Sequence, residues 1–179
     1  RLKDFRSGVW MQTLLRDPAA GVMHSLIYFN FLILLAVTTV LEINQQMPEG
    51  AKFLHGDVYR AYALVGDVAG ALFLLGVVWA IVRRYVQRPY RIRIKSKPEH
   101  AVILGTFLAI GITGFAAEAY RIALLGRPEF ETWSVVGYPL SGLVDDSARL
   151  AGLHQLWWVA HVLSFLLFVI ILPITMLRH

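Results

Sequence analysis

The chain has 179 residues, 57% of them hydrophobic and only 16% charged, with a mean hydropathy of +0.58. That balance excludes an ordinary soluble globular domain and suits a chain folded in lipid. It has no cysteine, so it offers no disulfide, no cluster ligand and no thiolate metal site. The net charge of +5 comes from bunched basic residues, which in a membrane chain report topology rather than a nucleic-acid partner.

The sequence starts at Arg1 rather than Met and stops at His179, so it reads as a piece of a longer protein. Residues 1–17 are charged and lack the apolar core of a signal peptide. Arg1, Lys3, Arg6 and Arg16 lie opposite Val9, Trp10, Leu14 and Leu15, the pattern of an amphipathic segment on a membrane surface. Asp17-Pro18 is a helix-start signal, an N-cap acid followed by proline at the first helical position.

The first apolar span is expected at about 19–41, with His24 just inside its start and Asn30 as a second polar residue. A polar loop follows and ends near His55. The second span, about 59–82, contains Asp67 and the small residues Gly66, Ala69, Gly70 and Gly76, which let helices approach closely. Residues 83–97 then carry seven basic residues and no acid. The third span, about 101–125, opens with Pro98-Glu99-His100 and has Glu118 and Arg121 spaced to pair near its far end. In the long loop 126–152, the piece 133–143 is apolar and aromatic and suits the membrane interface, together with Trp157 and Trp158. The fourth span, about 154–177, has Pro173 placed to kink it.

The expected fold is an all-α membrane protein of four transmembrane helices, set multi-pass in the cell (plasma) membrane. The basic 83–97 segment belongs in the cytoplasm, which puts chain start and chain end on that side and the 43–57 and 126–152 loops outside.

The histidines carry the chemistry. His161 and His179 are eighteen residues apart, about five helical turns, so both leave one face of the last helix roughly 27 Å apart. That is close to the hydrocarbon thickness of a bilayer. Imidazole is a common metal ligand and an axial ligand of haem iron. A bis-imidazole haem needs two rings at one depth on facing helices. His24 and His179 share a level near the cytoplasm and meet that requirement. His161 lies near the outside and needs a partner, for which His55 is the best choice. His154 is two turns from His161 on the same helix and reads as an interfacial residue; His100 reads as a surface residue at a helix start. The bland alternative makes His161 a polar gap-filler and His179 a chain-end residue among the headgroups.

With His161, Pro173 and His179 in the last helix and GVMHSLIYFNFLILL in the first, the chain resembles the cytochrome b membrane subunit of respiratory nitrate reductase, the gamma-subunit-like family. That family also supplies membrane domains of heterodisulfide-reductase-type iron–sulfur oxidoreductases. The resemblance covers nearly the whole chain, as one transmembrane cytochrome b domain over 1–179, with specific motifs only in the first and last spans. It implies one or two haem b groups in a haem-binding bundle, the inner one held by His24 and His179. The family's second histidine on the first helix falls at Leu34, so either His55 replaces it beside His161, or the outer haem is absent or differently ligated.

By the same resemblance the chain is expected to pass electrons between a quinone, its substrate in the lipid, and an iron–sulfur redox domain or subunit on the cytoplasmic side, as in a respiratory chain. The clusters would lie outside this segment. Arg16, Arg83, Arg84 and Arg178 are candidates to pair with haem propionates, or serve topology alone. Tyr59, Arg60 and Asp67, near His161, are quinone-site candidates, with Asp67 as a proton relay or as a buried acid paired to a neighbouring helix. A non-redox membrane anchor or a small transporter is the alternative, and the apolar mid-membrane residues argue against the transporter.

Overall fold

A computed structural model describes residues 17–89, 98–144 and 149–173. Every regular element among them is helical. Helix α1 spans Pro18–Gln46, α2 Gly56–Ile81, α3 Pro98–Leu124, the short α4 Gly137–Ser141, and α5 Leu150–Ile171. Helix α2 continues into a π-helical turn, Val82–Gln87, and 3-10 turns occupy Glu49–Ala51 and Glu129–Trp133. Four of these helices, α1, α2 with its extension, α3 and α5, are long and apolar enough to cross a bilayer. The expected all-α membrane architecture is therefore the observed one.

Local chemistry explains the ends. Pro18 is the first residue of α1, and the Asp17 carboxylate accepts the Ala20 amide at 3.2 Å, as the Asp-Pro pair predicts. Helix α1 runs past residue 41 because its polar end is still hydrogen-bonded: Gln46 donates to Glu42, one turn back, at 2.7 Å. The buried Asn44 accepts the amides of Phe53 and Leu54 at 2.9 and 3.0 Å, which turns the chain back toward α2. The expected fourth span is longer than α5, which ends at Ile171; residues 174–179, and with them His179, lie outside the described residues. So do residues 1–16 and 90–97, including the expected amphipathic start and most of the basic segment.

Successive long helices reverse direction, and close contacts follow the small residues. A Cβ at Gly76 would lie 2.9 Å from both Leu26 Cβ and Ile27 Cγ1, so α2 approaches α1 there with no room for a side chain. Helices α1 and α2 form one close pair, α3 and α5 another, and α2 against α3 joins the two. Where lipid supplies no hydrophobic drive between helices, such packing carries the association.

The four spans meet at a layer of phenylalanines, one from each. Phe31 of α1 lies 6.0 Å from Phe73 of α2, 5.7 Å from Phe107 of α3 and 5.0 Å from Phe168 of α5, centroid to centroid. Phe107 also meets Phe73 at 5.7 Å and Phe168 at 5.4 Å. Each such pair contributes about 0.5–1.5 kcal/mol beyond area burial. Around this layer pack Val77, Ile103, Ile110 and Ile171. The outer faces of α1 and α5 expose Leu32, Ile33, Leu163, Leu166 and Ile170, as lipid-facing surfaces do.

Candidate functional site

His24 and His161 stand on opposite sides of the phenylalanine layer. His24 precedes Phe31 by seven residues on α1, and His161 precedes Phe168 by seven on α5. Residues seven apart share a helix face. The two phenylalanine rings touch and the helices run antiparallel, so each imidazole is displaced about 10 Å from the layer, in opposite directions. The two histidines therefore mark two levels of the bundle.

The His161 ring is half-buried against α3. Its Nδ1 lies 3.0 Å from the Ile110 carbonyl oxygen and 3.2 Å from Thr113 Oγ1. A carbonyl can only accept, so Nδ1 carries the proton and Nε2 keeps its lone pair. The Thr113 hydroxyl donates to the Ala109 carbonyl at 2.6 Å, which leaves its oxygen as a second acceptor for the same N–H. Gly114 makes the room: a Cβ there would sit 3.1 Å from His161 Cε1. Fixing one ring nitrogen on a backbone carbonyl is how proteins aim the other nitrogen at a metal.

His24 is on the exposed side of α1, within electrostatic range of Arg84 and Arg83. Arg83 pairs with Asp17, tying the π-helical end of α2 to the start of α1. His55 is exposed and caps the start of α2 from the loop, on the element that packs on α1, whereas His161 faces α3. His154 occupies the first turns of α5, seven residues before His161. Among the described residues no three His, Asp or Glu side chains gather into a metal-holding group.

A polar cluster closes the end of the bundle where α2 begins and α3 ends. Arg121 forks onto the fully buried Glu131, at 2.6 Å to Oε1 and 3.2 Å to Oε2. Tyr59 donates its hydroxyl to the same Oε1 at 2.8 Å. Asp67 is buried and accepts the Val136 amide, with the Gly137 amide 3.3 Å from its Oδ2. Arg60 turns away and pairs with Asp57 at 2.9 Å. Of the three quinone-site candidates, the structure joins Tyr59 and Asp67 to the 129–137 segment and leaves Arg60 on an exposed ion pair. Glu118, expected to pair with Arg121, packs on Gly137, whose amide faces Asp67. A salt bridge that sequence spacing assigns within one helix is made across a loop, because Glu131 brings a carboxylate onto the same guanidinium.

Among curated proteins, the chain is 30% identical over 177 residues to "EtfAB:quinone oxidoreductase" of Syntrophomonas wolfei, covering 92% of this chain and 24% of that protein. It is 24% identical over 184 residues to "Probable iron-sulfur-binding oxidoreductase FadF" of Bacillus subtilis, covering 97% of this chain and 25% of that one. The chain is similar to a segment of oxidoreductases. It spans about a quarter of the length of the curated relatives it matches. No family model and no solved structure matches it.

Glu118, Glu131 and Ser134 are the residues that sequence reading left without a part in the site. The available signal was a pair of acids, Glu129 and Glu131, in the loop directly after an arginine-bearing helix end. Nothing in the spacing says which of them folds back to be buried.

Proposed function

We propose that this chain is a membrane cytochrome b domain of a quinone-linked oxidoreductase, passing electrons between membrane quinone and an iron–sulfur domain or subunit on the cytoplasmic side. The observation that carries the reading is the His161 imidazole, whose Nδ1–H is anchored on the Ile110 carbonyl while its ring rests on Gly114. A donor prepared in this way fits an axial ligand of haem iron. The similarity to proteins named for quinone and iron–sulfur chemistry supports the same direction.

In this reading one or two haem b groups serve the domain, which occupies 1–179 of a longer chain. Haem supplies the one-electron chemistry when bound. His24 with His179 would hold the group at the cytoplasmic level, with Arg83 and Arg84 beside His24 as charge partners for propionates. His161 would hold the outer group, with His55 as its candidate partner. The phenylalanine layer lies between the two levels and keeps them dry. The same layer argues against a transporter, since it puts four aromatic rings where a polar path would have to run. Tyr59 and Asp67 belong to the end proposed to face outwards and to serve quinone; Arg60 would lie at its edge.

Redox difference spectra of single-histidine variants of the full-length protein test the assignment. His24→Ala and His179→Ala should deplete one b-type component and His161→Ala a different one. A single component lost in both His24→Ala and His161→Ala would overturn the two-level arrangement. An unchanged outer component in His55→Ala would remove His55 from the ligand set.

A further inference from the structure

The Asp67 and Glu118 carboxyls, on neighbouring helices, converge on Gly137: its amide lies 3.3 Å from Asp67 Oδ2, and a Cβ on it would lie 2.7 Å from Glu118 Oε2. Two carboxyls that meet at one residue repel when both are ionised, and a hydrogen on one of their oxygens turns the repulsion into a hydrogen bond, because an ionised carboxylate is acceptor only. The surroundings favour this over a pair of separate anions. Arg121, one turn on from Glu118, is already forked onto Glu131, which also takes the Tyr59 hydroxyl. Asp67 receives the Val136 and Gly137 amides, which stabilise one negative charge but supply no counter-ion. Glu118 lies flat on Gly137, where a Cβ would be 2.6 Å from its carboxyl carbon. Beside Glu118, the Ser134 hydroxyl is fully buried.

We propose that Asp67 and Glu118 share one proton and exchange it with the aqueous phase across the 129–137 segment, serving as proton donor and acceptor for quinone chemistry at this end of the bundle. The inference rests on the quinone-linked reading for its role, though not for the shared proton. In each exchange an O–H bond forms on a carboxyl oxygen as the donor's O–H bond breaks. One proton moves and no electron does. Ser134 Oγ is positioned to hand it on, directly or through a water. The charged and titratable groups around the pair are Arg121 from α3, Tyr59 and Tyr62 from α2, and Glu131 from the loop; His154 of α5 feels Arg121 from the other side.

Infrared spectroscopy of the full-length protein, labelled with carbon-13 in either Asp or Glu, tests the shared proton without any variant. The expected result is a protonated-carboxyl stretch that moves in heavy water and with one of the labels. Absence of such a band overturns the proposal. Poising the protein with quinol and then with quinone should change the band, and an unresponsive band overturns the role. Glu118→Gln keeps a hydrogen bond to Asp67 but cannot trade a proton, so a merely structural residue would tolerate it. Quinone-coupled turnover should fall about a hundredfold in that variant, the lower end of general acid–base contributions. Glu118→Asp should recover most of it. Unchanged turnover in Glu118→Gln overturns the role. A wild-type protein with the band but no quinone turnover overturns the quinone reading and leaves the shared proton standing.

Discussion

Gly114 offers the sharpest structural test of the proposal that His161 is a ligand. A Cβ added there would lie 3.1 Å from His161 Cε1 and 3.4 Å from Nδ1, tighter than ordinary van der Waals contact. The ring would have to yield by a few tenths of an ångström, and the 3.0 Å bond from Nδ1 to the Ile110 carbonyl would stretch with it. Gly105, on the same helix, has no heavy atom within 4 Å of the same added atom. Replacing a mid-helix glycine by alanine gains about 1 kcal/mol of helix propensity at either position. Overpacking costs about 1–3 kcal/mol, and only Gly114 meets it. Gly105→Ala should therefore raise stability slightly, whereas Gly114→Ala should range from neutral to about 2 kcal/mol destabilised. Gly114→Val should displace the ring outright. Thermal unfolding in detergent gives the first difference. The reduced-minus-oxidised spectrum gives the second: the His161-dependent component should shift in potential in Gly114→Ala and be lost in Gly114→Val. If Gly114→Val expresses at normal levels with that component and its potential unchanged, the ring seen on Gly114 does not aim a ligand.

Other consequences are as concrete. Phe31→Ala and Phe168→Ala should each destabilise the bundle by about 3–5 kcal/mol, because each empties the layer where all four spans meet; chemical unfolding in mixed micelles reads the loss. Gly76→Ala should overpack α1 against α2, since Leu26 Cβ and Ile27 Cγ1 stand 2.9 Å from the new atom; after about 1 kcal/mol of gained helix propensity the net loss should reach about 2 kcal/mol, and a variant more stable than wild type in thermal unfolding would contradict that packing. Glu131→Ala should cost about 1.5–3 kcal/mol by removing the charged hydrogen bonds of the Arg121 fork, whereas Glu129→Ala, in the same turn but exposed, should cost under about 0.5 kcal/mol; equal losses would mean the fork is not made.

Hydropathy made the four spans legible, because each apolar run exceeds the length a bilayer requires. Asp17-Pro18 marked the first helix to the residue, since capping chemistry is local. The ends of α1 and α2 were less legible. Glu42, Gln45 and Gln46 break the apolar pattern but not the hydrogen-bonded helix, and Val82–Gln87 adds a π turn that composition does not announce. The heptad spacing of His24 to Phe31 and of His161 to Phe168 was present in the sequence. What it means depends on Phe31 and Phe168 touching, a contact between the first and last spans. The polar cluster where α2 begins and α3 ends was the least legible part. Arg121 has an acid three residues away in sequence and takes another ten residues on, because the loop buries Glu131 completely and a buried carboxylate requires a charge partner. Likewise the Asp67 reading as an acid paired to a neighbouring helix could be framed from sequence, but not its observed partners, the Val136 and Gly137 amides of the loop segment.

Haem content is the quantity on which the account turns. The full-length protein, expressed with adequate haem supply and purified from membranes, should be red, with a b-type alpha band on reduction. Its pyridine haemochrome should report one or two haem b groups per chain. A colourless protein that is folded, membrane-embedded and free of haem b would contradict the account and leave His24 and His161 as ordinary polar residues of a membrane anchor.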